Sequence, residues 1–163
     1  MQRRVLSLLF VLALAFVAAA QTKISGVESC PKPEPPQMVQ VGDRPNHAFA
    51  ISKSKCAWSK PMEIAGAQTK EDEGTNFAEV SGNSGSDRGY VVVTMSSGDK
   101  SFVRYQGKSV LKDGALQTYD GTWTFTGGTG KLKGLKGKGT YKGKPAADGG
   151  TTTEIEGEYQ LPK

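Results

Sequence analysis

Residues 123–141 have the sequence WTFTGGTGKLKGLKGKGTY, and this stretch decides the fold that the chain predicts. It begins as a strand with alternating side chains, passes through a glycine turn and resumes as a strand interrupted by glycines. Glycine permits the bends and close backbone approaches of a curved sheet. The stretch therefore predicts a tightly curved antiparallel sheet, and it carries no pattern typical of a catalytic site.

The rest of the chain from residue 38 onward shows many strand signals and almost no helix signals. Residues 116–126 alternate strictly, with Tyr119, Gly121, Trp123 and Phe125 on one face. Short turns rich in glycine, asparagine and aspartate separate the segments. The strand candidates are residues 38–41, 47–51, 55–58, 62–68, 75–82, 90–95, 102–111, 116–126, 138–141 and 152–161.

Allowing for breaks within strands, these segments predict about eight strands joined by short turns. We therefore expect an all-β protein in which residues 38–163 form a single eight-stranded antiparallel β-barrel. Closure of the barrel removes exposed strand edges, which protects an exported protein from edge-to-edge aggregation. The interior of such a barrel is just large enough to be filled by side chains or to hold one small ligand.

Residues 1–20 have the features of a signal peptide. Arg3 and Arg4 precede an apolar run over residues 5–17, and three alanines stand before Gln21. The run is shorter than the roughly 20 apolar residues of a membrane span. We expect cleavage near Ala20, export to the periplasm or the extracellular medium, and no membrane-spanning segment.

Residues 21–37 are predicted to form an irregular, proline-rich arm, because Pro31, Pro33, Pro35 and Pro36 disfavour a helix. The chain has two cysteines, Cys30 and Cys56. In an oxidising compartment a lone pair of cysteines usually forms a disulfide. The alternative, a metal or redox site, has little support, since the chain has no C-x-x-C motif and only one histidine.

Overall charge excludes a dedicated nucleic-acid-binding protein. The whole chain carries 21 basic and 16 acidic residues, a net charge of +5, and removal of residues 1–20 lowers this to +3. Strongly basic patches are the usual footprint of nucleic-acid binding.

The glycine stretch resembles the corresponding sequence of β-barrels of the allene oxide cyclase and dirigent type. Similar sequences occur in small exported bacterial proteins of unknown function. The matching residues are 121–125, 128–132, Gly134, Gly137 and Gly139. The resemblance implies an eight-stranded, calycin-like barrel. The cyclases use a buried carboxylate in an aromatic-lined cavity, and dirigent proteins use acidic and tyrosine side chains, but neither set is matched here residue by residue.

A set of aromatic residues and one arginine could line a ligand cavity inside the barrel, with Asp120 as a further polar contact. Core packing is the simpler explanation of aromatic residues in a small barrel. The ligand-cavity candidates are Trp58, Tyr90, Arg104, Tyr105, Tyr119, Trp123 and Tyr159.

A run of lysines near the end of the chain is a candidate site for an anionic polymer. The alternative is a solvated strand whose lysines prevent edge pairing, with Glu154, Glu156 and Glu158 offsetting their charge. The lysines are Lys131, Lys133, Lys136, Lys138, Lys142 and Lys144.

No recognisable catalytic, phosphate-binding or metal-binding motif is present, and we expect no cofactor and no metal. The single histidine, His47, is expected to have a surface or capping role. The sequence thus favours a non-catalytic exported binding or structural module. The alternatives are an isomerase or cyclase acting on a small apolar molecule in the barrel, and binding of an anionic polymer through the lysines.

Overall fold

The computed structural model describes residues 21–162, so the predicted signal peptide lies outside the described residues. These residues form ten strands and one short 3-10 helix, which follows β8 over Gly130–Leu132. The strands are β1 (Thr22–Cys30), β2 (Gln37–Gln40), β3 (His47–Lys60), β4 (Glu63–Ile64), β5 (Ala67–Ser81), β6 (Ser84–Met95), β7 (Lys100–Lys112), β8 (Ala115–Gly128), β9 (Lys136–Pro145) and β10 (Thr151–Gln160).

Eight of the strands close into an antiparallel barrel in the order β1-β10-β9-β8-β7-β6-β5-β3. The barrel closes where β3 pairs with both β5 and β1. The two short strands lie outside this circuit, β2 against β3 and β4 against β5. The predicted all-β, eight-stranded antiparallel barrel is therefore confirmed.

The N-terminal segment differs from the irregular arm that its prolines predict. Residues 22–30 form β1, a full barrel strand that pairs with β10 along its whole length, from Thr22 opposite Tyr159 to Cys30 opposite Thr151. Only residues 31–36, which contain the prolines, lack strand structure. The prolines begin at Pro31, so they end β1 and do not prevent it. The predicted break within residues 47–60 is also absent, because pairing with β5 is continuous from residue 47 to 57.

One end of the barrel interior is closed by apolar side chains. Ile64, Met95, Leu132 and Leu135 are each almost completely buried. The turn that carries Leu132 and Leu135 includes Gly134, whose φ of 76° is unfavourable for residues with a β-carbon. Burial of each such side chain is worth about 1.5–3 kcal/mol. The glycine turn therefore places two side chains of the apolar core.

Aromatic side chains inside the barrel lie against glycines of neighbouring strands. Directly opposite pairs place a large ring over a residue that has no side chain, so the rings can cross the narrow interior. Along β8 and β9 these pairs are Tyr119 with Gly143, Gly121 with Tyr141, Trp123 with Gly139 and Phe125 with Gly137.

The predicted disulfide between Cys30 and Cys56 is confirmed. The two Cα atoms are 4.3 Å apart, and the bond joins the end of β1 to the middle of β3. The bond therefore fixes two strands at the seam where the barrel closes. A disulfide of this kind is compatible with an exported protein.

Candidate functional site

Five of the seven predicted cavity residues face the barrel interior. Tyr105 and Tyr119 lie in its middle, while Trp123 belongs to the apolar core. Trp58 and Tyr159 pack against that core and are partly buried. The Tyr159 hydroxyl accepts a hydrogen bond from the Ala65 backbone N–H at 3.2 Å. Most of the inward-facing aromatic residues are thus predicted from the sequence, and their use as the lining of a ligand cavity stays a prediction.

Tyr90 and Arg104 do not belong to this lining. They are opposite each other on β6 and β7, and both side chains lie on the outer face of the barrel. Tyr90 is 61% exposed. Strand alternation explains why these two side chains point outward. On β6 and β7 the odd-numbered residues, such as Asp87 and Tyr105, face inward, and positions 90 and 104 are even-numbered. Asp120 likewise lies on the outer face.

Three tyrosines form a cluster across the middle of the interior. The Tyr141 ring lies 6.0 Å from the Tyr105 ring, edge to face, and 6.3 Å from the Tyr119 ring. Tyr105 Oη donates to Asn76 Oδ1 at 3.0 Å, and Tyr119 Oη lies 2.6 Å from Thr153 Oγ1. Tyr141 Oη is buried without a hydrogen-bond partner.

Asp87 projects into the interior beside this cluster. It lies opposite Gly107 on β7, and the Tyr141 hydroxyl packs against the same glycine. Burial raises the pKa of the Asp87 carboxyl. Burial, reinforced by the charge of Asp87, also raises the pKa values of Tyr105 and Tyr141. Both hydroxyl groups therefore remain protonated and available as hydrogen-bond donors.

Two further carboxyl groups lie in the interior near the disulfide. Glu28 is opposite Trp58, and Asp72 is opposite Cys56. Burial raises the pKa of Glu28 to about 7. Burial and then the charge of Glu28 raise the pKa of Asp72 to about 8, while the Trp58 indole N–H acts in the opposite direction. Burial therefore favours the protonated form of both carboxyl groups.

Asp72 is only 2% exposed, and its Oδ2 atom has no hydrogen-bond partner. The Trp58 indole N–H lies near enough to lower the pKa of Asp72, but its geometry falls short of a hydrogen bond, so Trp58 Nε1 is unpaired as well. Unpaired buried polar atoms are costly and uncommon in folded proteins. Together with Tyr141 Oη, these atoms give the interior a set of unused donors and acceptors.

Glu28 Oε1 also lies 2.9 Å from Cys30 Sγ. A disulfide sulfur carries no proton to donate, so this short contact fits a protonated Glu28 that donates to sulfur. Glu28, Cys30 and Cys56 lie close enough together to resemble a metal site. Both sulfurs are used by the disulfide, however, and thiolates are what a metal would require.

None of the inward-facing strand positions in residues 21–162 carries lysine, arginine or histidine. The interior therefore contains three carboxyl groups and no basic side chain. None of the three, Glu28, Asp72 and Asp87, is among the site residues that the sequence predicts. Strand parity could have identified Asp87, which lies on the same face of β6 as Val91 and Val93, but Glu28 lies in the segment assigned to the arm.

The predicted lysine patch lies entirely on the outside. Lys136, Lys138, Lys142 and Lys144 project from the outer face of β9, and Lys131 and Lys133 lie in the preceding turn. Acidic residues stand opposite two of them. Lys138 faces Glu158, and Lys142 lies between Glu154 on β10 and Asp120 on β8. This alternation of charge favours the interpretation as a solvated strand.

His47 is buried and bridges two carboxylates on the outer side of the barrel. Its Nδ1 lies 2.5 Å from Asp43 Oδ1 and its Nε2 2.9 Å from Glu79 Oε1. The hydrogen bonds to Asp43 and then Glu79 raise the pKa of the imidazole. His47 thus ties the turn before β3 to β5, which agrees with a capping role.

Two grooves indent the outer surface. A groove of about 600 Å³ is bordered by Phe49, Phe77 and Arg88, with the guanidinium 4.7 Å above the Phe77 ring. A second, of about 930 Å³, runs over β1, β10, β9 and β8 beside Lys138 and Glu158. Neither groove contains an unpaired buried polar group, so neither matches the interior as a candidate site.

Comparison of the sequence with models of known protein families and with curated proteins finds no match. Within residues 21–162, no helix has the length and apolar character needed to cross a membrane.

Proposed function

We propose that this protein is a non-catalytic, exported binding module whose barrel takes one small molecule into the polar half of its interior. One observation carries the proposal: the interior is divided. Its closed end is filled by Ile64, Met95, Leu132 and Leu135, whereas the other half carries Asp87 and the tyrosine cluster. Tyr105 and Tyr119 face inward and remain partly exposed.

The division matters because ligand sites combine apolar walls with a few polar groups that fix orientation. The tyrosine cluster supplies the walls. Tyr141 Oη in this cluster has no hydrogen-bond partner, and neither have Asp72 Oδ2 and Trp58 Nε1 beside the apolar core. A barrel selected only for stability would satisfy these atoms or replace them with apolar ones.

A fragment screen by ligand-observed nuclear magnetic resonance tests the proposal with two tryptophan variants. Ser109 faces inward in the polar half, opposite Tyr119, while Thr122 lies on the outer face of β8. Fragments that bind inside should lose binding in Ser109→Trp and keep it in Thr122→Trp. Shift changes at Tyr105 and Asn76 of the unmodified protein give a second measurement. Fragments that bind both variants equally, with no shift at these residues, would overturn the proposal.

A second candidate function is an isomerase or cyclase that acts on a small apolar molecule. The observation that favours it is the pair Glu28 and Asp72, whose pKa values of about 7 and about 8 suit proton transfer near neutral pH. The resemblance to allene oxide cyclases implies the same kind of buried carboxylate. Fold resemblance alone does not establish an activity.

The enzyme hypothesis is tested by supplying an allene oxide generated in the same tube and measuring the cyclic product against the spontaneous background. Turnover should be lost in Asp72→Asn and retained in Asp120→Asn, where the same change is made on the outer face. A product yield that equals the background in the unmodified protein would exclude this activity.

Binding of an anionic polymer is less well supported, because Lys138 and Lys142 face acidic residues across the sheet. Such binding would weaken steeply as the salt concentration rises. Retention on heparin that does not change between low and high salt would exclude it.

A further inference from the structure

We propose that the ligand of the barrel interior is a small primary amine, bound as its ammonium ion between Asp87, Tyr141 and Tyr105. This inference rests on the proposed binding function and names the chemical class of its ligand. It follows from the charge of the interior, from an unpaired hydroxyl group and from the aromatic walls.

The charge of the interior favours a cation. Glu28, Asp72 and Asp87 all face inward, and no inward-facing strand position of residues 21–162 carries a basic side chain. The lysines of β9 are on the outer face, where they alternate with Glu154, Glu158 and other acids. Inside the barrel, a positively charged ligand would therefore meet acidic groups that have no basic side chain beside them, and its charge would favour their ionised form.

The unpaired hydroxyl group of Tyr141 favours a cation that can donate hydrogen bonds, such as a primary ammonium ion. Tyr141 is 9% exposed, and its Oη atom has no partner although it packs against Gly107, the cross-strand neighbour of Asp87. The acid and the hydroxyl are thus adjacent without bonding to each other. A primary ammonium group has three donors, so it can bond to the Asp87 carboxylate and the Tyr141 oxygen at once.

The walls of the site suit the same ligand. The Tyr105 and Tyr119 rings flank Tyr141 at 6.0 and 6.3 Å. A cation near aromatic faces is attracted to their electron density, and the attraction is stronger where water is excluded. The alkyl part of the amine would lie against the apolar core around Trp123.

The experiment compares n-butylamine with butan-1-ol, which have nearly the same size and shape, by calorimetry at pH 8 on the mature chain. Butylammonium should bind at least tenfold more tightly than the alcohol. Asp87→Asn should weaken butylammonium binding at least tenfold, and Asp120→Asn should leave it unchanged. If Asp87→Asn does not fold, Tyr141→Phe serves instead, with a several-fold loss expected.

The outcomes separate this inference from the proposed function. Equal binding of the amine and the alcohol, with loss of both in Ser109→Trp, would overturn the cationic ligand while the interior site remains. Amine binding that is insensitive to Asp87→Asn and Tyr141→Phe would place the cation elsewhere and overturn the inference. Failure of butylammonium to bind would also overturn it, whatever the fragment screen shows.

Discussion

The Trp123 indole ring lies directly over Gly139. A β-carbon at position 139 would lie 2.5 Å from Trp123 Cζ2, and it would also collide with the backbone carbonyl of Glu156. The two residues are opposite each other on β8 and β9. This pairing of a large ring with a missing side chain explains why the β9 sequence contains glycine at alternate positions: three aromatic side chains need that space.

Replacing Gly139 with valine should therefore destabilise the barrel. Overpacking of a filled interior costs about 1–3 kcal/mol, so we expect a loss of more than about 1 kcal/mol in chemical denaturation. Thr140→Val is the matched control, because it places the same side chain one residue away on the exposed face and should have little effect. An unchanged denaturation midpoint for Gly139→Val would show that the strand does not need the glycine.

The glycine stretch also shows how far the sequence alone leads to the fold. The alternation of residues 116–126 correctly predicts which side chains of β8 face inward, and in the turn Gly130 and Gly134 adopt a positive φ, a conformation that glycine permits. Both features are local, since they depend on strand parity and on the conformation of single residues. Such features are readable without knowledge of the neighbouring strands.

The candidate site was not readable in the same way. Glu28 and Asp72 are distant in sequence, and they interact only because β3 pairs with both β1 and β5 where the barrel closes. A register shift in β5 between Thr69 and Glu71 also alters the parity on which the orientation of Asp72 depends. Closure and bulges are properties of the assembled sheet, so the sequence pattern predicts the walls of the interior better than its carboxyl groups.

Removing the disulfide should weaken the barrel at its seam. Cys30 and Cys56 are 26 residues apart, and a cross-link over such a loop contributes roughly 3–4 kcal/mol in the chain-entropy model. The double variant Cys30→Ala/Cys56→Ala should lose about this amount in urea denaturation. Reductant should lower the midpoint of the parent protein and leave that of the double variant unchanged. A double variant as stable as the oxidised parent would contradict the prediction.

Export can be checked directly by intact mass. Protein recovered from the cell envelope or the medium should begin at or near Gln21, because residues 1–20 have the pattern of a cleaved signal peptide. Replacing Ala18 and Ala20 with leucine should block cleavage and leave the segment attached. A cytoplasmic protein that retains Met1 would refute export.

His47 should stabilise the protein most at low pH. Its hydrogen bonds to Asp43 and Glu79 raise the pKa of the imidazole above its usual 6.5. The stabilisation is therefore complete below pH 6.5 and is lost as the pH rises through the raised pKa. His47→Gln should lower Tm more at pH 6 than at pH 9. In a Glu79→Gln background the same change should cost less, and equal losses at both pH values would contradict the ion pair.

Asp72 should make the folded protein less stable as the pH rises. Its pKa of about 8 exceeds the ordinary 3.8, so the folded state retains a proton that the unfolded chain releases. Between pH 4 and pH 8, stability must then fall with increasing pH. Glu28, with a pKa of about 7, acts in the same direction. Asp72→Asn removes this titrating group. The amount by which the free energy of unfolding of the variant exceeds that of the parent should therefore be larger at pH 8 than at pH 5.

The difference should be more than about 1 kcal/mol, because each unit of pKa shift corresponds to about 1.4 kcal/mol. Urea denaturation at pH 5 and pH 8 measures it for the parent, for Asp72→Asn and for Asp120→Asn. Asp120 lies on the outer face between Lys108 and Lys142, so its variant should keep the pH dependence of the parent. If Asp72→Asn keeps the full dependence of the parent as well, Asp72 does not hold the extra proton of the folded barrel, and the proton transfer that the enzyme hypothesis assigns to Glu28 and Asp72 loses its support.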